Sequence, residues 1–244
     1  MLTAAGAVLK IACMMQTYVR NAGVAEPAPG REEQIAHLRA KLARFDSEHA
    51  PLPVDKQITM PVGLAKLLPG GGLARGVAYS FSASSLLMSE VIAHVSGEGG
   101  VVGVVGWPEF GYAAVAETGG NLDHVVAVPD PGLEPLAAVS VLVEGLDLVV
   151  YRGPALALSP TRARPLLAKL RAGRATLAMI GTQVPSPAAY VEARLAAVSG
   201  IGAGTGRIRS LELAVQVRAK GHERRGAVIV GKQPPQPRQR LRAV

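Results

Sequence analysis

Cysteine is nearly absent. The single Cys13 has no partner for an intrachain disulfide and cannot supply a multi-cysteine zinc site, and it fits a reducing cytoplasm. Aromatic residues make up only 4% of the chain. That disfavours a single-strand nucleic-acid binder that works by base stacking, where each stacked base contributes roughly 1–3 kcal/mol. The five histidines, His37, His49, His94, His124 and His222, are scattered without paired ligand spacing, so no metal site is expected. No stretch reaches the roughly 20 apolar residues of a membrane helix. The N-terminal run AAGAVLKIACMM is broken by Lys10 and lacks a basic leader and a clear cleavage site, so it is not read as a signal peptide. Ser84 and Ser85 do not stand in a G-x-S-x-G elbow, which argues against a serine hydrolase.

What the chain does have is small apolar side chains. Of its 244 residues 49% are hydrophobic, carried by Ala, Val and Leu, enough for one α/β domain with extensions. The formal net charge is +8, and it is unevenly placed. Residues 1–206 hold 16 basic and 16 acidic side chains, whereas residues 207–244 hold 10 basic and 2 acidic ones. A basic end of this kind suits an acidic partner, nucleic acid or protein, or serves solubility.

Residues 1–56 read as an N-terminal extension. After the breaker EPAPG, the segment 31–45 places Ile35, Leu38, Leu42 and Phe45 on one helical stripe, an amphipathic helix that lies on the main domain or docks into a partner. SEHAPLPVDK follows as a linker stiffened by two prolines. From residue 57 to 231 the pattern is that of a core. VAYSF, VVGVV, HVVAV, LDLVVY and ATLAMIGT read as strands. SLLMSEVIAHV, YAAVAET, LEPLAAVSVLVEG, SPTRARPLLAKLRAG and PAAYVEARLAAVS read as helices, the first capped by Ser84 or Ser85 and the fourth by Ser159. Such alternation predicts a mainly parallel sheet flanked by helices. RIRSLELAVQVRA, then KGHERRG, then AVIVG reads as an antiparallel hairpin at the sheet edge. Residues 232–244, rich in Pro and Arg, read as a flexible basic tail.

The segment YSFSASSLLMSEVIAHV has the strand–turn–helix shape of a phosphate-gripping P-loop. Its chemistry differs. A working loop reads G-x-x-x-x-G-K-[ST], with glycines that let N–H groups close on phosphate and a lysine that reaches the terminal phosphates. Here Ser82, Ser84 and Ser85 line the turn, and Leu86 and Leu87 stand about where Lys and Ser/Thr are needed. The second requirement, an acidic residue ending a buried strand to hold magnesium, is missing as well. LDLVVYRG ends in Tyr151 and Arg152, and Asp147 sits at the opposite end of that strand. A non-catalytic domain without nucleotide cofactor is therefore expected. Glu109, after a strand, could polarise a water or be a plain loop carboxylate. Gln183 could sense phosphate or hydrogen-bond the sheet edge. Trp107 packs beside the cleft or anchors an interface.

The order of these pieces resembles a RecA core. ITMPVGLAKLLPGGGLARGVAYSF is similar to the Gly-rich approach to the P-loop strand. YAAVAETGGNLDHVVAVPDPGLEPLAAVSVLVEGLDLVVY is similar to the stretch that ends in the acidic residue, and TLAMIGTQV to the strand carrying a glutamine sensor at Gln183. VRAK resembles the basic pair that RecA projects across its subunit interface, here Arg218 and Lys220. With both nucleotide motifs lost, the chain resembles the ImuA-type accessory proteins of the actinobacterial damage-induced mutagenesis cassette. That resemblance implies a cytoplasmic, nucleoid-associated scaffold in translesion synthesis. Its partners would be an ImuB-type Y-family-like protein, RecA and, indirectly, an error-prone replicative-type polymerase. Candidate partner surfaces are the 31–45 stripe, Arg218 and Lys220, and the basic positions Arg224, Arg225, Arg238, Arg240 and Arg242. The tail could add weak nonspecific DNA contact. A vestigial ATPase and a SulA-type division inhibitor are the alternatives. Seven residues between Arg152 and Pro160 are too few for RecA's first DNA loop, and PSPAAYVEARLAAVSGIGAGTG, read as helical, is nearly uncharged.

Overall fold

A computed structural model describes residues 57–202 and 205–231, together with the positions Glu32, Glu33, Ala36 and Ala40, which are helical and exposed. The apolar stripe Ile35, Leu38, Leu42 and Phe45 lies outside the described residues, as do Arg238, Arg240 and Arg242.

The expected fold class is what the chain adopts. Strands β3 (Ala78–Phe81), β4 (Val102–Val105), β5 (Val125–Val128), β6 (Leu148–Arg152) and β7 (Thr176–Ile180) are mutually parallel. Strands β8 (Ala189–Gly202), β9 (Thr205–Ala219) and β10 (His222–Gly231) complete an eight-stranded sheet in the order β10-β9-β8-β3-β7-β6-β4-β5. β8 runs parallel to β3, and the other two pairings are antiparallel. A small antiparallel pair, β1 (Gln57–Thr59) with β2 (Gly72–Ala74), precedes it, bridged by the short α1 (Val62–Ala65).

The central strands are apolar on both sides because helices cover both faces. Every residue of β4 and β7 is buried. One face packs on α2 (Ser85–Gly97) and α3 (Tyr112–Glu117), with Leu87, Met88 and Val91 in its core. The other packs on α4 (Pro135–Gly145) and α5 (Pro160–Ala172), with Val139, Leu142 and Leu166. Ser84 caps α2 by accepting from Leu87 N–H, and Ser159 caps α5 by accepting from Arg162 N–H.

One expected element is different. Residues 187–199 were expected as a helix, but β8 begins at Ala189 and runs 14 residues as a strand. Alanine and leucine favour a helix locally. Pairing decides otherwise: Ser80 and Phe81 of β3 align with Tyr190 and Val191, and β9 aligns along nearly the whole length. Burial then follows period two, with Ala189 and Val191 buried and Tyr190 between them exposed. Two register shifts, between Leu195 and Ala197 and between Ser199 and Ile201, bend the strand, the second at Gly200 with φ 97°. The last hairpin also turns earlier than expected, at Lys220–Gly221, so Arg224 and Arg225 stand in β10.

Candidate functional site

The turn that replaces a phosphate loop is short and tied down. Only Ser82, Ala83 and Ser84 separate β3 from α2. Ser82 N–H donates to the Val191 carbonyl at 2.9 Å, and Ser82 Oγ accepts from Ala193 N–H at 2.9 Å. The side chain that opens the turn thus satisfies β8 instead of facing an anion. Ser84 is occupied as the helix cap, and Ser85 gives its carbonyl to Ser89 Oγ at 2.9 Å. Leu87 is buried in the core and Leu86 packs against it. These two hydrocarbon side chains offer no charge to an anion at the turn.

β4 and β6 are neighbours in the sheet, and Arg152 at the end of β6 meets the loop that follows β4. Arg152 Nη1 donates to Glu109 Oε1. The Arg152 guanidinium also lies 5.1 Å from the centre of the buried Trp107 ring. Trp107 packs on Phe110 at 4.8 Å, and Phe110 meets Tyr112 edge-on at 5.1 Å. Burial pushes the Tyr112 hydroxyl up to about 12. Sequence reasoning raised Glu109 and Arg152 separately, and the fold brings them together as an ion pair over an aromatic cluster. Arg152, where the resemblance to a RecA core would put an acidic residue, is the positive partner of that pair.

Gln183 lies past the end of β7. Its main chain bridges Ala157: Gln183 N–H donates to Leu156 O and Leu158 N–H donates to Gln183 O, both at 2.8 Å. Thr182 Oγ1 donates to Pro154 O at 2.8 Å. Residues 153–158 are thereby fastened across the C-terminal ends of β6 and β7. Gly181 makes this possible: its φ is 78°, and a Cβ there would sit 2.2 Å from Gly153 O.

At the opposite end of the sheet, Asp147 is buried. Its carboxylate accepts from Arg75 Nη1 at 2.8 Å and from Val101 N–H at 3.0 Å, and Arg174 Nε lies 3.9 Å away. Arg75 carried no signal in sequence, because it lies far from Asp147 along the chain.

Among the described residues, three of the basic positions expected to meet partners make contacts within the domain. Arg218 pairs with Glu192 at 2.6 Å and lies 5.7 Å from the Tyr190 ring centre. Arg225 pairs with Glu223 at 2.7 Å, and Arg224 donates to the Lys66 carbonyl at 3.1 Å. Lys220 is exposed in the β9–β10 turn. Among the described residues no group of His, Cys, Asp and Glu could hold a metal, and no helix is long and apolar enough to cross a membrane.

Comparison with known proteins adds three findings. The family defined by the MT3502 N-terminal domain matches residues 66–186. Uncharacterized protein Rv3395c of Mycobacterium tuberculosis (strain ATCC 25618 / H37Rv) is 30% identical over 196 residues, covering 77% of this chain and 93% of that protein. The crystal structure of the RadB recombinase superposes with a TM-score of 0.44 at 14% identity, over 63% of this chain and 86% of the other.

Proposed function

Because the chain belongs to the MT3502 family, whose matched span holds the altered turn, we propose that it serves as a non-catalytic scaffold of a damage-induced translesion synthesis complex. In this reading it binds an ImuB-type protein and RecA in the cytoplasm and does not hydrolyse ATP. The observation that carries it is the turn itself: three residues, leucine-lined, with Ser82 bonded to β8. The Glu109–Arg152 ion pair supports the same reading. A RecA-like domain that has given up its nucleotide can keep a protomer-like surface without nucleotide-driven assembly, and such a surface suits recruitment or capping.

Two measurements test this together. Purified protein is titrated with ATP and magnesium by calorimetry, and its binding to purified ImuB-type protein and to RecA is measured by biolayer interferometry. The proposal expects no heat at millimolar ATP and saturable binding to at least one protein. Magnesium-dependent ATP binding with turnover, or failure to bind either protein, refutes it.

A further inference from the structure

The long hairpin that sequence reasoning missed forms a projecting arm. Pairing of β8 with β3 ends at Val191, while β8 continues to Gly202, roughly 35 Å at about 3.3 Å per residue. Among the described residues β10 pairs with β9 as far as Ser210, and beyond it Thr205 and Gly206 of β9 pair with β8. The arm therefore rises past the C-terminal ends of the parallel strands and finishes as a two-stranded ribbon.

Its surface is unusual for a ribbon in water. Of the nine large hydrophobic residues exposed among the described residues, four are on this arm: Leu195 (54%), Val198 (42%), Ile201 (64%) and Ile208 (54%). Between Glu192 and Glu212 the chain carries Arg194, Arg207 and Arg209 and no carboxylate. Ile201 aligns with Gly206 and Val198 with Leu211, and Arg207, Ile208 and Arg209 lie in the register shift between these pairs. All three are exposed, so the end of the ribbon gathers Val198, Ile201 and Ile208 with two arginines in one short stretch.

We infer that this arm is a docking element for a protein partner that presents an apolar groove rimmed by carboxylates. The inference rests on the scaffold reading above and names the surface that carries it. Clustered exposed aliphatic side chains mark a protein contact, and arginine is enriched in such interfaces. Three arginines are few for a nucleic-acid surface, which is more strongly basic and more polar. The sequence from 191 to 231 holds no aromatic residue on which a base could stack. Carboxylates complement the arginines electrostatically and exclude a partner of like charge.

The test uses the full chain and purified ImuB-type protein and RecA. The variants are Ile201→Glu with Ile208→Glu, Arg207→Glu with Arg209→Glu, and the conservative Ile201→Val with Ile208→Val. All positions are exposed, and thermal melts confirm folding. The isoleucine-to-glutamate pair is expected to weaken binding at least 30-fold. The arginine pair is expected to lower the association rate and its salt dependence, and the valine pair to bind within threefold of wild type. If wild type binds a partner and both glutamate variants bind equally well, the arm is overturned and the scaffold reading stands. If wild type binds neither protein, both fall. Loss confined to duplex-DNA binding, or to self-association seen by analytical ultracentrifugation, also overturns the inference.

Discussion

Replacing Asp147 by Ala is expected to destabilise the domain far more than replacing Asp147 and Arg75 together. The carboxylate is 2% exposed and the Arg75 side chain 11% exposed. Asp147 accepts from Arg75 at 2.8 Å and from Val101 N–H at 3.0 Å. Removing it leaves a buried guanidinium bonded to the Arg174 carbonyl at 2.8 Å, and it orphans the buried Val101 N–H. Breaking a buried pair in this way costs about 3–5 kcal/mol. At roughly 2–4 °C per kcal/mol for a domain of this size, the melting temperature falls by on the order of 10 °C. The double variant Asp147→Ala with Arg75→Met removes both charges and lets a hydrocarbon fill the site. It is expected to recover more than half of that loss, because the attraction of such a pair roughly offsets its desolvation. The assay is a double-mutant cycle from urea melts, with magnesium as an added variable. If the two single effects simply add, or if magnesium stabilises wild type but not Asp147→Ala, then Asp147 is no structural counter-ion and the assignment of roles to the two ends of the sheet is wrong.

Two further outcomes follow from local geometry. Gly181→Ala meets Gly153 O at 2.2 Å and must hold φ at 78°. It should lose about 1–3 kcal/mol in denaturant melts, and wild-type stability in that variant would show that residues 153–158 are not fastened as described. Burial raises the Glu90 carboxyl above its ordinary 4.5, opposed by the Gly231 N–H. Between 4.5 and that raised value the folded state binds more protons than the unfolded one, so stability falls as pH rises through this window. Glu90→Gln should flatten that part of a stability–pH curve, and an unchanged slope would dismiss the burial of this carboxyl as its cause.

The parallel half of the fold was legible because its signals are local. Runs such as VVGVV can be satisfied only between two helical layers, and Ser84 and Ser159 announce their helices by type and position. That the turn after VAYSF holds no glycine and no lysine is legible for the same reason, since it is a matter of residue type. Contacts between distant residues were not. Glu109 and Arg152 were each singled out, yet nothing in either segment says that they meet, and Arg75 gave no hint of Asp147. The most consequential error was PAAYVEARLAAVS, where helix-favouring alanines hid a period-two pattern that has meaning only once β3 and β9 supply the neighbours. That error and the turn after β3 are physically connected. Ser82, at the position where a phosphate loop would begin, bonds to Val191 and Ala193 of the strand that was misread. Ser82 therefore ties the three-residue turn between β3 and α2 to the strand that continues into the arm, so the local choice of residue at that turn and the long-range course of β8 are fixed together.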